Sequence, residues 1–175
     1  PLARAPYAGK ALRLTVDGLQ GGHSGVEIDK GRANADLLLG RVLAGMQLAG
    51  VDFRLVDVAG GLKDNAIPVS CTAVLRAADP AAVCAAAAKT DAAFRAEYQT
   101  ADPGVHVHAE SCGDERAAMD EATTRRVVCL LSLAPNGIQE MSRDIPGLVQ
   151  TSLNLGILGC SGEQLEASFC LRSSV

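Results

Sequence analysis

The chain has no tryptophan, and aromatic residues make up only 3% of its 175 positions. Its core must therefore be built from Ala, Val and Leu. Positive charge is not in excess: 16 Lys and Arg stand against 20 Asp and Glu, a formal net charge of −4. With no Lys/Arg cluster, this argues against a nucleic-acid partner. No apolar run approaches the roughly 20 residues needed to span a bilayer, and Pro1 to Gly9 lacks a signal-peptide core. A cytoplasmic location with no membrane partner is expected. Several catalytic signatures are missing as well. There is no Ser-His-Asp set with a nucleophile elbow, no phosphate loop, no His-Glu-x-x-His, no His-x-Asp and no Glu-Glu pair. The six cysteines form no Cys-x-x-Cys pair and fall in apolar stretches, so they are expected to be buried small hydrophobes in a reducing compartment rather than zinc ligands or a disulfide framework.

What is present suits one domain, or one domain with an appended piece, able to bury a sizeable core. Residues 10–17 alternate apolar and polar as a half-buried strand does. Ala33, Leu37, Leu38, Val42 and Met46 fall near helical spacing, predicting a helix from about Gly31 to Gln47. Strands follow around Phe53–Gly60 and Ser70–Ala77. Asp79-Pro80 is a helix-start signal, Asp as N-cap and Pro at the first helical position. The Ala-rich run to about Tyr98 is helical by propensity, and Val105–Glu110 alternates again. The order to this point is β-α-β-β-α-β, the split arrangement of an α+β, ferredoxin-like antiparallel sheet with helices on one face. Residues 1–112 would form this core. Residues 113–175 would extend it by a third helix over Asp120–Leu133, a short strand at Ile138–Ser142, and a C-terminal hairpin of Val149–Leu158 and Gln164–Ser173. The abrupt start at Pro1, and an end directly after a strand that would leave an open sheet edge, suggest a chain cut from something longer.

The stretch Gly18-Leu19-Gln20-Gly21-Gly22-His23-Ser24-Gly25 follows the first strand. Its four glycines free the backbone for tight turns and hold one imidazole at the tip of a strand. Two further polar residues could also donate to an anionic or carbonyl group. Asn65 lies in the connection Gly60–Pro68, and Arg172 ends the last strand. Taken singly, each has an ordinary reading: an exposed loop His, a turn-forming Asn, a solvated Arg. His106 and His108 share a strand face, but no carboxylate or thiol pattern completes a metal site, and a polar face is the expectation. Asp114-Glu115 and Asp120-Glu121 precede a helix, where negative charge suits the dipole.

Together, several blocks carry a resemblance: the Gly18–Gly25 stretch, Gly31-Arg32-Ala33-Asn34-Ala35, Asn65-Ala66-Ile67-Pro68, Pro146-Gly147-Leu148-Val149-Gln150-Thr151-Ser152-Leu153-Asn154-Leu155-Gly156, and Arg172-Ser173-Ser174. In order, they resemble the middle of the bacterial aminoacyl-histidine dipeptidases. These are also called Xaa-His dipeptidases, peptidase D or cytosolic non-specific dipeptidases, within the di-zinc peptidase superfamily that includes carboxypeptidase G. The resemblance implies a lid domain inserted into a separate catalytic domain, which carries the two zinc ions and is absent here. It implies that His23 stabilises the oxyanion of the tetrahedral intermediate, that Asn65 hydrogen-bonds substrate and that Arg172 holds the substrate's C-terminal carboxylate. The implied partners are a dipeptide, the chain's own catalytic domain and a second copy in a homodimer. This chain alone would bind no metal and hydrolyse nothing. The competing expectation is a dimerisation or small-ligand-binding module with no catalytic role.

Overall fold

Residues 1–174 are described by a computed structural model. In chain order the elements are β1 (Arg4–Ala5), β2 (Lys10–Asp17), β3 (Gly22–His23), α1 (Ala35–Leu48), β4 (Phe53–Gly60), β5 (Ala66–Ile67), β6 (Cys71–Ala77), α2 (Pro80–Glu97), β7 (His106–Ser111), β8 (Ala118–Met119), α3 (Glu121–Leu133), β9 (Gly137–Met141), β10 (Val149–Ser161) and β11 (Gln164–Ser173). A seven-stranded antiparallel sheet runs β11-β10-β4-β6-β2-β7, with β9 paired to β10. Its central run, β4-β6-β2-β7, is the ferredoxin-like order expected of the βαββαβ unit.

Alternation fixes which face of the sheet is covered. Leu12, Leu14 and Val16 of β2 are buried with Leu39, Leu43 and Met46 of α1 and with Val83, Ala87 and Phe94 of α2. Asp79 caps α2, accepting from the backbone N–H of Ala81 at 2.9 Å and Ala82 at 3.2 Å. Few side chains tie this alanine-rich helix down. Phe94 and Tyr98 meet edge to face at 6.3 Å, and the Arg41 guanidinium from α1 lies 4.7 Å from the centre of the Phe94 ring. The same arginine pairs bidentately with Glu97, so one cation joins both helices.

The C-terminal segment adds to this core. Val127, Val128 and Leu131 of α3, and Leu155 and Leu158 of β10, belong to the same apolar cluster. The hairpin joins the sheet at the β4 edge through Leu158↔Gly60 and Gly159↔Ala59.

Three expectations need correction. The first helix starts at Ala35, not Gly31. A short 3-10 turn occupies Ile28–Lys30, Gly31 is left-handed at φ 67°, and Asn34 is the N-cap. The hairpin turn is only Gly162-Glu163, because β10 runs on to Ser161. The cysteines are all free, and only Cys71 is buried. Cys84 and Cys129 are exposed, and Cys112, Cys160 and Cys170 are half-buried. A cysteine in an apolar stretch of an amphipathic helix is inside only if it falls on the inward stripe.

Candidate functional site

One buried carboxylate holds both ends of the segment from Gln20 to Ala33, which carries most of the glycine loop. Asp102 has no solvent exposure. Its Oδ1 accepts from the Gln20 N–H and its Oδ2 from the Ala33 N–H, each at 2.7 Å. Within the loop, Glu27 Oε2 accepts from the His23 N–H at 2.8 Å. Lys30 and Arg32 both pair with Glu27, and Arg32 also donates to the Gly21 carbonyl. The Lys30 hydrogen bond first, and the His23 N–H next, pull the Glu27 carboxyl down to about 2.

His23 therefore does not sit on a free loop. It belongs to β3, and β3 pairs with β5 through Gly22↔Ile67 and His23↔Ala66. Its Nδ1 accepts from two backbone donors, Gly25 N–H at 3.0 Å and Val26 N–H at 3.2 Å. With Nδ1 occupied as an acceptor, Nε2 is the ring nitrogen left to act as a hydrogen-bond donor.

The same small ladder brings in Asn65. Its backbone carbonyl accepts from the Ser24 N–H at 3.0 Å, and its side chain is exposed. Arg172 arrives from β11, opposite Ser152 of β10. Gly25 marks where the groups meet. A methyl group built on it would lie 2.9 Å from Arg172 Nε and 3.0 Å from His23 Cε1. Among the described residues Arg172 is the one arginine whose guanidinium has neither a hydrogen bond nor an ion pair. The structure brings His23 and Arg172 together at Gly25 and ties the Asn65 backbone to the neighbouring Ser24. The three residues offer an imidazole N–H, an exposed carboxamide and an unpaired guanidinium.

A buried carboxamide network, unassigned in the sequence, lies under this site. Asn154 is 1% exposed, and its Nδ2 donates to the carbonyls of Asp64 and Ala66 at 2.9 Å each, the residues either side of Asn65. Asn34 caps α1 with its Oδ1 and donates from Nδ2 to the Leu155 carbonyl at 2.8 Å. Asn136 Oδ1 accepts from the Leu155 N–H at 2.9 Å and from Asn34 Nδ2 at 3.3 Å. The available signal was an asparagine within an otherwise apolar, alternating strand, where an unpaired carboxamide would be costly.

His106 and His108 stack at 5.0 Å, and His106 Nδ1 lies 2.8 Å from Asp91 Oδ1. No group of three or more His, Cys, Asp or Glu that could hold a metal occurs among the described residues.

An α+β sheet of ferredoxin-like order, with a donor site hung from one side, is the class this geometry defines. No family model matches the chain. The chain is 33% identical to the cytosol non-specific dipeptidase of Escherichia coli, over 97% of its own length and 35% of that protein. It superimposes on the aminoacylhistidine dipeptidase of Vibrio alginolyticus with a TM-score of 0.86 at 30% identity, covering 98% of this chain and 35% of that one. The chain is thus related to one stretch of these dipeptidases and spans about a third of their length. Among the described residues no helix is long and apolar enough to cross a membrane.

Proposed function

We propose that this chain is the substrate-binding lid of a cytosolic zinc dipeptidase, with its metal centre in a separate catalytic domain. The observation that carries the reading is the close approach of His23 and Arg172 at Gly25, with the Asn65 backbone bonded to the neighbouring Ser24. Hydrolysis of a dipeptide develops negative charge on the carbonyl oxygen while the product end already carries a carboxylate. With Nδ1 accepting from the Gly25 and Val26 N–H groups, the His23 Nε2–H is the donor suited to the first charge. Arg172, with no internal counter-ion, suits the second, and Asn65 can bind the peptide between them. Donors already oriented need no reorganisation as charge develops, and each can contribute roughly 3–4 kcal/mol in a water-poor site. Carrying them on a lid makes closure over substrate part of the assembly of the site.

The test is His23→Ala in the full-length enzyme. The expected result is a fall in kcat of about 10²-fold or more, at oxyanion-donor magnitude, with metal content unchanged. An unchanged rate, or loss of metal, refutes the role. An unchanged rate for Asn65→Ala and Arg172→Ala as well would favour a dimerisation or small-ligand module without catalytic duty.

A further inference from the structure

We propose that Asn154 is a positioning residue that sets Asn65 relative to Arg172. The inference rests on the substrate-contact role proposed for Asn65. The connection between β4 and β5 has no element of its own to hold Asn65; its carbonyl is bonded to Ser24, and its two neighbours are held from β10. Both N–H groups of the Asn154 carboxamide are used on the two carbonyls flanking Asn65. Two residues further along, Gly156 provides the space: a side chain there would collide with the Asp64 carbonyl. The β10–β11 register shifts between Leu155 and Ile157, leaving Gly156 without a partner on β11. This is a bulge that turns that part of the strand toward the loop.

Arg172 is tied to the same stretch of the same strand. It pairs with Ser152, and Asn154 pairs with Cys170. Ser152 and Asn154 are two apart and therefore share a strand face, and both are buried at 3% and 1% exposure. One run of β10 thus grips the Asn65 loop by side chain and the Arg172 strand by backbone. The Asn34–Leu155 and Asn136–Leu155 bonds fix that run against α1 and the segment before β9. The separation between the substrate-facing carboxamide and guanidinium is set through Asn154, which itself touches neither substrate nor solvent.

Asn154→Asp keeps the shape and removes both donors, setting one carboxylate oxygen against two carbonyls. In the full-length dipeptidase, with a dipeptide substrate, we expect kcat/KM to fall about tenfold or more. The decisive measurement is a double-mutant cycle with Asn65→Ala. If Asn154 acts by aiming Asn65, adding Asn154→Asp to Asn65→Ala produces no further loss. A purely structural role predicts that the two losses multiply, and that result overturns the proposal. So does a single Asn154→Asp variant with wild-type kcat/KM. If Asn65→Ala alone leaves kcat/KM unchanged, the Asn65 role fails first, and the proposal fails with it for that distinct reason. Should the charged variant not accumulate in folded form, Asn154→Ser carries the same cycle, with one hydroxyl in place of two N–H donors.

Discussion

Asp36 offers a test of the physics of the fold that needs no substrate. It lies in the first turn of α1 with no solvent exposure, and neither carboxyl oxygen has a hydrogen-bond partner. Oδ1 fills the space where a side chain on Gly60 would be, beside the buried Cys71. Burial pushes the carboxyl up from 3.8 to about 7. The Cys71 thiol, which faces it without a hydrogen bond of ordinary geometry, offsets this only in part. In the unfolded chain the group returns to its ordinary value. Below about pH 3.8 it is protonated in both states. Between about 3.8 and 7 the folded state holds a proton that the unfolded state releases, so stability falls as pH rises across that window. Above about 7 both states are ionised and this contribution is flat. At 1.36 kcal/mol for each pKa unit, the full excursion is about 4 kcal/mol.

Asp36→Asn removes the titration while keeping the shape. Its packing penalty does not vary with pH, so the informative quantity is how the stability difference between the two proteins changes. Urea unfolding at pH 4, 5.5, 7 and 8 should show the variant gaining on the wild type by about 4 kcal/mol from the lowest pH to the highest. The carboxyls held below their ordinary range, Glu27, Asp91, Glu97, Asp114 and Asp120, give the opposite slope at more acid pH. They are common to both proteins and cancel. A constant difference across the series would refute the assignment of a buried, proton-holding carboxyl.

Two further outcomes follow from the loop. Gly25→Ala should leave the fold intact but force Arg172 and His23 apart, lowering kcat/KM of the full-length enzyme by about 10²-fold, the scale of a 1 Å misplacement; wild-type kinetics would contradict the close approach. Asp102→Ala strips two backbone N–H groups of a buried acceptor and should destabilise the chain by about 3 kcal/mol. Urea unfolding reads this, and a loss under about 0.5 kcal/mol would show that the loop ends are held by something else.

Long periodic elements were legible in the sequence. β2 covers the same residues as its alternation, and α2 starts where Asp79-Pro80 signals. The two-residue ladders, β1 with β8 and β3 with β5, were not legible. A pair of residues has no period, and these exist only because tertiary packing brings distant segments together. The site divides in the same way. His23, Asn65 and Arg172 could be singled out as donors, but their placement depends on Asn154 and Asp102. Those residues act across 88 and 69 positions of chain, and no local pattern records such a bond.

The attachment of the C-terminal hairpin has a mechanical consequence. β10 and β11 pair along ten positions, and β9 adds four more, while the ladder to β4 has two. The β9–β10–β11 unit is therefore a stiff lever on a narrow fulcrum at Leu158 and Gly159. Arg172 sits opposite Ser152, about 20 Å down the lever at roughly 3.3 Å per residue. A tilt of about 10° at the fulcrum would sweep the guanidinium through roughly 3 Å, the difference between a hydrogen bond and none. The asparagines midway along act as a brake on that swing.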